Sequence, residues 1–135
     1  MNEQDVWQVI NFFSKVFSLT VQGWLDWNET ADEETLLASL GQGYTVRLSL
    51  VADLEGKSPE PDHTLVLYEG SKSLLTVSRT SAGIDEWAME NGFDGSYSLM
   101  LRLWEMAQYK ASNISKHLDA ANSLLDQIAL DRENG

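Results

Sequence analysis

The sequence predicts an α+β fold: a three-stranded antiparallel sheet packed against an N-terminal helix and a long C-terminal helix, as a two-layer sandwich. Three observations point there. Apolar residues recur at helical spacing near the N-terminus. From Tyr44 the period changes to two, the signature of strands with one wet face. From Tyr97 to Ile128 a heptad runs without interruption. The expected order is helix, small helix, three-stranded meander, small helix, long helix. It forms one domain over residues 1–135, with an N-terminal helical part (1–43), the meander (44–80) and a helical C-terminal part (81–131).

Over residues 3–18, Val6, Val9, Ile10, Phe13, Val16 and Phe17 share one helical face, and Glu3 and Asp5 sit where the helix dipole favours acids. Trp7 and Phe12 widen that face, so Trp7 is expected in the core. Thr20–Trp27 fits either a continued helix or a short edge strand. In Asp26–Glu34, Thr30 or Asp32 is placed to cap a short helix reaching about Leu40, with Gly41 and Gly43 ending it. Tyr44–Ala52 alternates: Tyr44, Val46, Leu48 and Leu50 face one way, Thr45, Arg47 and Ser49 the other. Asp53–His63 holds both prolines and is expected to be a loop. His63–Glu69 and Leu74–Thr80 are the remaining strands, joined by the turn at 69–73. Ile84–Glu90 is a short helix stopped at Asn91-Gly92. Asp94 or Ser96 caps the last helix, and residues 131–135 fray.

The heptad comprises Tyr97, Met100, Trp104, Ala107, Ala111, Ile114, Leu118, Ala121, Leu125 and Ile128. A continuous helix of about 35 residues would be about 52 Å long, whereas a compact chain of this size is about 37 Å across. Part of the seam is therefore expected to meet a second copy, with Trp104, Ala107, Ala111, Ile114, Leu118, Ala121, Leu125 and Ile128 in the dimer interface. The competing reading packs the seam wholly within one subunit. Ser and Asn at 112–115 are poor helix residues and mark the place where the helix would break.

Composition narrows the function. The chain of 135 residues has no cysteine, which excludes a disulfide framework, a thiolate zinc site and a cysteine nucleophile, and fits a reducing, cytoplasmic setting. The N-terminus is acidic where a secretory leader would be basic, and no apolar run is long enough to span a membrane. Net charge is −12. Residues 1–96 carry 16 acids and five bases, whereas residues 97–135 carry five acids and four bases. Such a field opposes direct nucleic-acid binding, and the shortage of lysine and arginine on the amphipathic segments opposes an anionic lipid surface. The near-neutral last segment pairs with itself against little repulsion.

No catalytic or metal motif emerges. Asp26, Asn28 and Thr30 match the first ligands of an EF-hand, but Ala31 and Leu37 stand where glycine and glutamate are required. Gly41-Gln-Gly43 precedes a strand, the reverse of a phosphate loop. His63 and His117 are far apart in the chain and are expected at the surface. Catalytic, cofactor and metal sites are therefore assigned as none, and the chain is not expected to be an enzyme.

The aromatics suggest a partner surface. Trp24 and Trp27 lie among Asp26, Glu29, Asp32, Glu33 and Glu34 in a segment without clear periodicity that fits the core or a binding surface equally; at a surface, acids with indole anchors suit a basic protein. The sequence-level expectation is a small acidic binding or regulatory protein, homodimeric through its last helix, that presents residues 26–34 and 53–62 to a basic protein. Immunity, antitoxin, chaperone-like and mobile-element accessory roles share this character. The alternatives are a small-molecule binder with an apolar Trp- and Phe-lined pocket, and a DNA mimic.

Overall fold

The computed structural model describes residues 3–51 and 62–134, apart from the side chain of Ser115. It is α+β: α1 (Glu3–Val21), β1 (Asn28–Glu29), β2 (Thr35–Gly41), β3 (Tyr44–Val51), β4 (Asp62–Glu69), β5 (Lys72–Val77), α2 (Ile84–Glu90), α3 (Ser96–Ala111) and α4 (Ile114–Asn134). The strands form one antiparallel meander in the order β1-β2-β3-β4-β5. The sheet thus has five strands rather than three.

The added strands replace the expected short helix before Gly41. Leucine and alanine in 36–40 favour a helix locally, but pairing with β3 overrides that weak preference. β2 lays Leu36 against Leu48 and Ala38 against Val46, burying all four on the sheet's inner face. The glycines that follow are therefore a hairpin turn, not helix stops. Gln42 and Gly43 have φ of 55° and 84°, the double positive φ that a type I′ turn needs. The β4–β5 turn uses Gly70 at φ 59°, where the sequence placed a hairpin.

Alternation fixes the inner face. Leu36, Leu48, Leu65 and Val77 form one row across the sheet; Ala38, Val46, Leu67 and Leu75 form the next. α3 lies against β1, β2 and β4, and α1 and α2 pack against α3. Leu99, Met100, Leu103, Trp104 and Ala107 enter the core from α3, and Phe13 and Val16 enter from α1. Phe13, Phe17, Trp87 and Phe93 meet through edge-on and tilted ring contacts with centroids 5.7–6.3 Å apart, tying α1 to α2 and the α2–α3 connection. That connection is fixed by the Asp85 carboxylate, which accepts the Ser96 backbone N–H at 2.9 Å. An acid from α2, rather than Asp94 or Ser96 itself, caps α3.

The long helix is two helices. α3 ends at Ala111, and Asn113 takes a left-handed φ of 51°. Asparagine tolerates that conformation better than most residues. Its N–H bonds the Lys110 carbonyl at 3.2 Å while its own carbonyl accepts the His117 N–H at 3.1 Å, so it closes one helix and opens the next. α4 lies outside the packed layers. Two further expectations fail. Trp7 is 65% exposed on the outer side of α1, and Thr20–Trp27 is neither strand nor wholly helix, since α1 stops at Val21 and loop follows.

Candidate functional site

The break at Asn113 divides the heptad into two different surfaces. Trp104 and Ala107 belong to the subunit's own core, so in this fold they are closed to a second chain. Ala111 and Ile114 are half-buried at the elbow. Beyond it, every residue from Lys116 to Asn134 is exposed. Leu118, Ala121, Leu125 and Ile128 keep the heptad spacing in the open, and Leu124 widens their stripe on one side. Leu125 and Ile128 are 60% and 59% exposed. In folded proteins most helical stability comes from packing of an apolar face, and among the described residues the stripe on α4 has no such cover.

The acidic segment lies beside the root of that helix. Trp24 is 73% exposed, whereas Trp27 is 2% exposed and its indole N–H donates to the Thr20 hydroxyl at 3.0 Å. Thr20 in turn donates to the Val16 carbonyl at 2.7 Å. Trp27 is therefore a core residue that pins the loop onto α1; of the two expected indole anchors, only Trp24 stands at the surface. Asp26, Glu29, Asp32, Glu33 and Glu34 are all exposed. Asp26 lies 3.7 Å from the Lys110 ammonium, an exposed pair that contributes little. Asp32 organises the turn into β2: its carboxylate accepts the Glu34 N–H at 3.0 Å and the Thr35 hydroxyl at 2.9 Å. Those bonds, that from Glu34 first, hold its carboxyl below the usual aspartate value. A cleft of about 350 Å³ is lined by Glu29, Asp32 and Glu33 on one side and by Gln108 and Ser112 of the elbow on the other. Acids and elbow thus share one cleft. The remaining expected acids, at 53–61, lie outside the described residues.

Sequence reasoning missed two features. A groove of about 630 Å³ runs between the end of α1 and α3, with Val21, Met106 and Tyr109 as its apolar lining and Arg102, Glu105 and Lys110 as its charged groups. Its signal was the spacing of Arg102, Met106 and Tyr109, a second helical face beside the heptad. The other is His63, which is buried rather than at the surface. Period two places it on the same face as Leu65 and Leu67, opposite Leu50. Its ring lies 5.8 Å from that of Trp104 and 6.3 Å from that of Tyr97, and its Nδ1 has no hydrogen-bond partner among the described residues. Burial lowers its pKa against the opposing pull of Asp62 and Glu105. Neighbouring Asp62 accepts the Arg79 Nε–H at 2.7 Å.

Among the described residues, no cluster of His and carboxylates could hold a metal ion, and no helix is long and apolar enough to cross a membrane. His117 is exposed on α4, remote in sequence from His63. Comparisons with protein-family models, with curated proteins and with solved structures each return no match.

Proposed function

We propose that this protein is a small acidic binding protein, homodimeric through α4, that presents the rim of Trp24, Asp26, Glu29, Asp32, Glu33 and Glu34 to a basic protein. The observation that carries this reading is α4 itself: an apolar stripe at heptad spacing, exposed from Leu118 onward and outside the layers of its own subunit. The rim supports the second half. Its carboxylates are open to solvent beside an exposed indole, so charge steers the encounter and Trp24 supplies apolar area. Immunity, antitoxin, chaperone-like or mobile-element accessory roles fit this reading by analogy of charge and size.

The test is co-purification from the native host. A basic chain is expected to be retained at low salt and released above roughly 0.3 M, where the Debye length shrinks to a few ångströms. Retention of no basic chain at low salt would remove the partner reading. The groove beside Val21, Met106 and Tyr109 supports a second reading, a small-molecule site, because it joins apolar lining to a few convergent charges. A thermal shift with a metabolite library, abolished by Met106→Glu, would favour it.

A further inference from the structure

Resting on the dimeric reading above, we infer that α4 pairs antiparallel with α4 of a second copy, in a register centred on Ser123. The order of side chains along the stripe selects this arrangement. Written as a heptad, Leu118, Leu125 and Arg132 hold the a positions, and Ile114, Ala121 and Ile128 the d positions. In a parallel pair each of these faces its own counterpart. Ala121 against Ala121 leaves a thin layer in the middle of the contact, and Arg132 against Arg132 brings like charges together.

Reversing one helix about Ser123 removes both faults. Position a now faces d: in the two central layers Leu125 meets Ala121, a large side chain against a small one, and in the layers outside them Leu118 meets Ile128. Arg132 leaves its own counterpart and lies over Ile114. Ile114 lines a hollow of about 320 Å³ together with Glu105, Gln108, Tyr109 and Ser112, so the incoming guanidinium arrives where Glu105 is the acid. The flanks agree with this register. His117 faces Asp131, a complementary pair. Leu124, 67% exposed and outside the a and d rows, meets its own counterpart across the twofold axis. In the parallel arrangement Leu124 would face only Ala129. The antiparallel pair also sets the two globular bodies at opposite ends of a contact about 31 Å long, so the two acidic rims engage separate partner molecules.

The chain has no cysteine, so introduced thiols report without background. Leu118→Cys and Ile128→Cys, both at exposed positions, are oxidised separately and as an equimolar mixture after subunit exchange, with far-UV circular dichroism confirming the fold. Disulfide-linked dimer is expected to be several-fold more abundant in the mixture than in either variant alone. In the antiparallel register two copies of residue 118 stand about 15 Å apart along the axis, beyond disulfide reach. Cross-linking of each variant alone, as efficient as in the mixture, would establish a parallel pair and overturn the inference. A dimer in sedimentation equilibrium that cross-links in none of these samples would overturn the pairing while sparing the dimeric reading. A monomer would end both.

Discussion

Replacing Trp27 with alanine removes an indole from the core and the hydrogen bond that anchors the loop to Thr20. A loss of about 3–5 kcal/mol is expected in urea denaturation. Trp24→Ala is expected to change stability by no more than about 0.5 kcal/mol while weakening capture of the proposed basic partner. Equal losses for both variants would contradict the assignment of one indole to the core and the other to the surface. The sequence left this pair undecided because their segment has no periodicity; the burial of Trp27 depends on where α1 stops, which is a tertiary outcome. The burial of His63, by contrast, is legible in the alternation of its strand. It stands two residues before Leu65 in an alternating strand, and the parity that buries Leu65 buries His63 too. Its folded pKa lies below the unfolded value, so the native state binds fewer protons between the two. The stability contributed by neutral His63 is complete above the unfolded pKa of about 6.5 and falls as pH drops through that window. Urea midpoints at pH 7 and pH 5 are expected to differ more for the native chain than for His63→Leu. An unchanged difference would remove His63 as the cause.

Among the elements, the β2–β3 hairpin and the elbow are where local sequence and final structure part company. Gly43 at φ 84° belongs to a turn that a Cβ would strain, so Gly43→Ala is expected to cost about 1–2 kcal/mol although the added methyl meets open space. Chemical denaturation reads it, and no loss would contradict the positive φ. The meander's inner face and the turn at Gly70 were visible in alternation and glycine placement. β2 was not, because leucine and alanine carry a helical preference that only pairing with β3 reverses. The heptad misled in a different way. Its phase survives across 111–114, yet phase says nothing about continuity of the backbone, and Asn113 breaks the helix without disturbing the spacing. Asn113→Gly is expected to leave stability within a few tenths of a kcal/mol, whereas Asn113→Val is expected to lose more, since a β-branched residue resists φ 51°. Equal tolerance of valine would argue that α3 and α4 run straight through.

Across the whole molecule, charge and exposure divide the work. The sheet, α1, α2 and α3 form the core, and α4 adds apolar area that, among the described residues, this core does not cover. The α+β class was legible because periodicity changes twice along the chain. The extent of the proposed dimer surface was not, because a seam buried inside one subunit and a seam shared between two have the same spacing. Burial assigns Met100, Trp104 and Ala107 to the first kind and leaves Leu118, Leu125 and Ile128 exposed, where the proposed pairing would cover them. Sedimentation equilibrium of the full chain at tens of micromolar, beside a Leu118→Glu/Leu125→Glu variant, puts this to the test. The native chain is expected at twice the mass of one chain and the charged variant at the mass of one, with unchanged circular dichroism. A native chain that sediments as a monomer would contradict it.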